Sequence, residues 1–132
     1  MTMARADILI VEDHPTMREA MRLVLEHEGF VIRQAADGPS ALAMVRAQPP
    51  DLMLLDLNIP GASGATVLKE LKSDPATADV RVIIVTATGE EGRDFVLSLG
   101  ADAYFTKPFS PTALLRTVEE VLDLGGASPT AT

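Results

Sequence analysis

Three carboxylates, a hydroxyl and an ammonium recur at one kind of place in this chain, the position or two just after a short apolar run. Glu12 and Asp13 follow ILIV, Asp56 follows LMLL, Thr86 follows VIIV, and Lys107-Pro108 comes after the run that holds Tyr104 and Phe105. If the runs are parallel strands, these side chains share one sheet edge, where an open α/β sheet keeps its functional crevice. Carboxylates crowded there repel one another and hold their protons more tightly unless a cation neutralises them. The chain has no Cys, and His14 and His27 are far apart without spaced partners, so the donors are oxygens. An oxygen set favours a hard cation, magnesium before zinc or copper, and such an ion keeps waters that a phosphoryl group can replace. Each residue alone has a plainer reading. An acidic pair after a strand is commonly a solvated turn, Asp commonly opens a loop, Thr is an ordinary strand residue, and Lys is usually at the surface. Their shared position at the ends of strands is what argues for chemistry.

The elements that must position them read as five strand-then-helix units. The apolar runs are Ile8 to Val11, Val31 and Ile32, Leu52 to Leu55, Val82 to Val85, and Ala103 to Phe105. Three of them are continuously apolar, as expected of strands covered on both faces in a parallel sheet. Helix 1 is expected from Met17, Ala20, Met21, Val24 and Leu25, with Gly29 after its end. Helix 2 spans about Pro39 to Ala47 before Pro49-Pro50; helix 3 follows Gly64, with Val67, Leu68 and Leu71 on one face. Helix 4 spans about Gly89 to Leu99 in a less regular pattern, with Phe95, Val96 and Leu99 toward the sheet. Helix 5 starts at Ser110-Pro111, turns Leu114, Val118, Val121 and Leu122 inward, and stops at Gly125-Gly126. Right-handed crossovers then give a three-layer α/β sandwich, a five-stranded parallel sheet flanked by five helices, with the flavodoxin-like strand order 2-1-3-4-5. Residues 1–124 form one domain, and residues 125–132, GGASPTAT, have nothing to bury and are expected as a tail or severed linker.

Bulk properties narrow the partners. A chain that is 47% hydrophobic and 23% charged has the balance of a folded globular domain. Its formal charge of −8 repels phosphate backbones and anionic lipid, so direct nucleic-acid or membrane binding is not expected. The absence of Cys removes disulfides, thiolate metal sites and cysteine nucleophiles. No apolar run approaches the length of a membrane span or secretory signal, which gives a cytoplasmic expectation.

The ordered motifs resemble the receiver domains of two-component response regulators across residues 6 to 124. ILIVEDHP is similar to the family's first-strand motif, LMLLDLNIPGASG to its phosphoacceptor strand and loop, IIVTAT to its fourth strand, and YFTKPF to its fifth. The resemblance implies that Asp56 is the phosphoacceptor and that Glu12, Asp13, Asp56 and the Asn58 carbonyl hold Mg2+, with Mn2+ a possible substitute. It implies that Thr86 is a switch hydroxyl, Tyr104 a switch aromatic and Lys107 the ammonium that pairs with the phosphoryl group. Pro60, Gly64 and Pro108 would shape loops, the Lys107–Pro108 peptide would be cis, and Asn58 and Thr88 occupy positions that tune phosphoryl lifetime. The implied partners are a sensor histidine kinase or histidine phosphotransfer protein upstream and a protein target on the face of helix 4, strand 5 and helix 5. The protein would be a monomer or a phosphorylation-linked dimer that catalyses only its own phosphorylation and dephosphorylation.

Other functions fit less well. A phosphorylation-independent interaction module of the same fold requires the acid set to be present but unused. An aspartyl phosphatase calls for an acid two residues after its nucleophile, where this chain has Asn58. EDHPTM after the first strand carries no glycine-rich dinucleotide fingerprint, and no Walker lysine motif occurs.

Overall fold

The computed structural model describes residues 5–87 and 89–126. Five strand-then-helix units alternate along it: β1 Asp7–Val11, α1 Pro15–His27, β2 Val31–Ala35, α2 Gly38–Ala47, β3 Leu52–Leu55, α3 Gly64–Ser73, β4 Arg81–Thr86, α4 Arg93–Ser98, β5 Ala103–Thr106 and α5 Pro111–Gly126. All neighbouring strands are parallel and lie in the order β2-β1-β3-β4-β5, as the strand-helix alternation predicts. No helix among the described residues is long and apolar enough to cross a membrane.

The continuously apolar strands are buried on both faces because side chains alternate across a strand. Leu9, Val11, Met53, Leu55, Val82 and Ile84 pack with Ala41, Leu42 and Val45 of α2, Val67, Leu68 and Leu71 of α3, and Val96 of α4. Ile8, Ile10, Leu52, Leu54, Ile83 and Val85 face the other way, onto Met21 and Leu25 of α1 and Leu114, Val118 and Val121 of α5. β2 is longer than its two apolar residues suggest. It forms a sheet edge, so Arg33 and Gln34 can stand within it, and the Arg33 guanidinium donates to both Asp7 carboxylate oxygens at 3.2 and 3.0 Å.

Local chemistry sets most helix starts. Asp37 caps α2 by accepting from the Ser40 N–H at 2.7 Å, Ser63 caps α3 through the Thr66 N–H at 3.2 Å, and the Ser110 hydroxyl accepts from the Ala113 N–H at 3.0 Å. α4 departs from the sequence reading. It begins at Arg93 rather than near Gly89 because Gly92 takes a φ of 79°, a left-handed conformation that cannot continue into a preceding helical turn. Phe95, expected inward, is 59% exposed; Val96 is the residue that α4 buries. With only six residues, the helix has one buried position rather than an apolar stripe. At the other end α5 extends through Gly126, and the rest of the expected tail, residues 127–132, lies outside the described residues.

Candidate functional site

Strand register brings the acid set together. Val11 pairs with Leu55, so the next residues on the two strands, Glu12 and Asp56, leave the sheet side by side, and the Asp56 N–H donates to the Val11 carbonyl at 3.1 Å. On the far side of β3, Thr86 ends β4 opposite Thr106, and the Lys107 N–H then donates to the Thr86 carbonyl at 2.8 Å. This places the Lys107 side chain above the ends of β1 and β3. Its Nζ donates to Glu12 Oε1 at 2.7 Å and to Asp56 Oδ2 at 3.1 Å, bridging residues 95 and 51 positions away.

Glu12, Asp56 and Thr86 are buried, Lys107 is half-buried, and Asp13 is the more accessible acid, with 37% of its side chain exposed. The second oxygens of both buried carboxylates are also engaged. Glu12 Oε2 accepts from the His14 N–H at 3.2 Å, and Asp56 Oδ1 accepts from the Asn58 N–H at 3.0 Å. Burial is the main reason the Glu12 carboxyl titrates above its ordinary value, reinforced by the Asp56 charge and opposed by Lys107. Burial alone would lower Lys107, yet its hydrogen bonds to Glu12 and Asp56 outweigh that, and its ammonium is held above its ordinary value. Two carboxylates on one bridging ammonium, with Asp13 beside Glu12, leave excess negative charge, and the donors are those a hard cation takes. The His14 imidazole is largely exposed, with Nδ1 3.7 Å from Glu12 and 4.0 Å from Asp13.

The direction of the Glu12 shift makes a prediction for the metal-free protein. A carboxyl whose folded value lies above its unfolded one adds stability that is full below about pH 4.5 and is lost as pH rises through the folded value. The stability difference between the wild type and Glu12→Gln, measured by urea denaturation in chelator, should therefore shift against the wild type as pH is raised from 4.5 toward neutrality. A difference that stays flat or moves toward the wild type would contradict the assignment.

The surrounding loops are tightly constrained. A Cβ at Gly64 would stand 2.4 Å from the Asp56 carbonyl oxygen and 2.7 Å from Leu57 Cα, so only glycine fits where α3 starts against the exit of β3. The Gly64 N–H donates to the Leu57 carbonyl at 2.9 Å, and the Pro60 carbonyl accepts from the Gly38 N–H at 3.0 Å, tying this loop to α2. The Lys107–Pro108 peptide is cis, and Asn58 and Pro60 are exposed at the loop surface. The Tyr104 hydroxyl donates to the carbonyls of Gly89 and Glu91 at 2.5 and 2.9 Å, tying β5 to the segment before α4. Thr88 lies outside the described residues.

Sequence reasoning missed one contributor. Arg18 of α1 reaches back over the acid pair, with Nη1 2.7 Å from the Glu12 carbonyl and Nε 3.2 Å from Gln34 Oε1. In the sequence it is one polar residue on an amphipathic helix, indistinguishable from a solvated arginine.

Known proteins share this sequence pattern and fold. Residues 8–119 match the family model described as the response regulator receiver domain. The chain is 45% identical over 116 residues to the phosphate regulon transcriptional regulatory protein PhoB of Escherichia coli, covering 87% of this chain and 51% of PhoB. It thus spans about half the length of that curated relative. Among solved structures, a CheY-like receiver domain from Methanospirillum hungatei superposes with a TM-score of 0.85 at 30% identity, covering 91% of this chain and 95% of that one. The receiver domain of the sensor histidine kinase PA1611 from Pseudomonas aeruginosa, which has a magnesium ion coordinated in its active-site cleft, gives 0.83 at 28% identity, covering 90% of this chain and 98% of that one. With the family model matched over all five strands and the acid set gathered at their carboxyl ends, the chain belongs to the response regulator receiver domains, the phosphoryl-accepting signalling switches of two-component systems.

Proposed function

We propose that Asp56 is the phosphoacceptor, beside a magnesium ion held by Glu12, Asp13, Asp56 and the Asn58 carbonyl, with manganese able to substitute. The observation that carries this reading is the Lys107 bridge, one ammonium joining carboxylates at the ends of two strands. The magnesium site of the PA1611 receiver supports the choice of ion. Magnesium supplies charge neutralisation for the phosphoryl oxygens during transfer.

The protein's own groups supply nucleophile and positioning. An Asp56 carboxylate oxygen attacks the phosphorus of a phosphohistidine, the new O–P bond forms as the N–P bond breaks, and the imidazole leaves with the electron pair. The Asn58 N–H and Lys107 hold the two Asp56 oxygens and fix the carboxylate plane for that attack. Once Asp56 carries the phosphoryl group as an acyl phosphate, Lys107 pairs with a phosphoryl oxygen and the Thr86 hydroxyl with another. Tyr104 then leaves the Gly89 and Glu91 carbonyls and rotates inward, and the surface of α4, β5 and α5 repacks. Asn58 and Thr88 tune how long the phosphoryl group lasts, while Pro60, Gly64 and Pro108 hold the loops. A sensor histidine kinase or a histidine phosphotransfer protein is the donor, and a protein target reads the α4, β5 and α5 face, in a monomer or a phosphorylation-linked dimer. The chemistry turns over no separate substrate.

Intact-mass measurement tests this with acetyl phosphate as donor. The wild type should gain one phosphoryl group per chain in magnesium and none in chelator, and Asp56→Asn should gain none in either. No adduct on the wild type, together with no response to beryllofluoride, would favour a constitutive interaction module.

A further inference from the structure

Asp13 is the most accessible acid of the cluster, and none of the hydrogen bonds described above fixes its carboxylate, so its direction depends on the backbone that carries it. That backbone is held from two sides. The Glu12 N–H donates to the Ala35 carbonyl of β2 at 3.0 Å, and the Glu12 carbonyl, the oxygen of the peptide joining Glu12 to Asp13, accepts from Arg18 Nη1 at 2.7 Å. Arg18 is itself oriented, because its Nε donates to Gln34 Oε1 at 3.2 Å and its own N–H donates to the His14 carbonyl at 2.9 Å in the first turn of α1. The chain of contacts runs from Gln34 on the edge strand, through the planar guanidinium, to the peptide that aims Asp13.

We infer that Arg18, oriented by Gln34, is a positioning residue for the cation site, acting through the Glu12–Asp13 peptide rather than by touching the ion. This rests on the reading above that Glu12 and Asp13 hold a divalent cation. The two effects of an arginine here have opposite signs. As a positive charge near the acids it weakens cation binding, so its removal by Coulomb's law alone would tighten binding. As a clamp it pre-aligns Asp13, and losing a residue that orients a metal ligand commonly weakens affinity by about tenfold or more. A geometric role therefore predicts weaker binding in spite of the lost charge.

The experiment is calorimetric titration of the full chain with MgCl2, comparing wild type, Asp13→Asn, Arg18→Ala, Arg18→Lys and Gln34→Ala. Amide spectra of the metal-free proteins at Asp13 and His14 provide a second readout. Arg18→Ala should weaken magnesium about tenfold and shift both amides. Gln34→Ala, which keeps every charge, should move both readouts in the same direction by less, and Arg18→Lys should recover part of the affinity. Unchanged or tighter binding in Arg18→Ala, or amides that stay in place, would overturn the inference. If wild type and Asp13→Asn bind alike, the cation site itself is misassigned, an outcome separate from failure of the Arg18 arm.

Discussion

Gly64→Val is expected to lower the melting temperature by more than about 10 °C and to abolish phosphorylation of whatever folded protein remains. Overpacking a core usually costs about 1–3 kcal/mol because neighbouring side chains can shift. Here the obstacle is backbone: the first atom of any side chain would lie 2.4 Å from the Asp56 carbonyl oxygen and 2.7 Å from Leu57 Cα. Relief requires moving either the start of α3, anchored by Val67, Leu68 and Leu71, or the exit of β3, whose residues are fully covered. The cost should reach about 3 kcal/mol or more, and the strain falls on the carbonyl of the phosphoacceptor itself. Gly64→Ala should show the same defect in milder form. Differential scanning calorimetry with the mass assay checks both, and a variant that melts and phosphorylates like the wild type would refute the steric argument.

The second large effect is expected from Lys107→Met. Removing the ammonium leaves Glu12 and Asp56, both nearly inaccessible, facing each other across the space it occupied. Breaking a buried ion pair from one side costs about 3–5 kcal/mol; the Lys107 side chain keeps 13% of its surface exposed, so about 2–3 kcal/mol is expected in chelator. Saturating magnesium should restore a substantial part of that loss, because a divalent cation neutralises the same carboxylates. Adding Glu12→Gln should also recover stability in chelator, since it removes one of the two stranded charges, and the double-mutant cycle would give the coupling between positions 12 and 107. Equal destabilisation with and without magnesium, and no recovery in the double variant, would mean that Lys107 acts by packing alone. Phosphorylation should fall in either case, because the group that holds Asp56 Oδ2 at 3.1 Å is gone.

Much of the fold is legible because it is written in local periodicity. Runs such as ILIV and LMLL are too short for helices and too apolar for a half-exposed strand, and every residue of both is buried. The helix starts at Asp37, Ser63 and Ser110 follow from side-chain capping within a few residues. Elements that depend on context read less well. β2 carries Arg33 and Gln34 because a sheet edge tolerates them, so the strand runs on past its apolar pair without a hydrophobic signal to mark its length. α4 is shortened by the left-handed Gly92, and its large apolar Phe95 points away from the core. A hydrophobic count assigns Phe95 to the interior because it measures what a residue prefers, while the direction of the preceding loop decides what it obtains.

The sequence by itself determined the order of strands and helices, the oxygen-only donor set, and the position of Glu12, Asp13, Asp56, Thr86 and Lys107 at or just beyond strand ends, because each depends on residue type and short-range spacing. Only the tertiary structure decided that Lys107 joins Glu12 to Asp56, that Gly64 must lack a side chain, and that Arg18 and Gln34 brace the Glu12–Asp13 peptide. Those contacts link residues on different elements, up to 95 positions apart, and hydrogen bonds with a reach near 3 Å exist only after the sheet has set the register between strands.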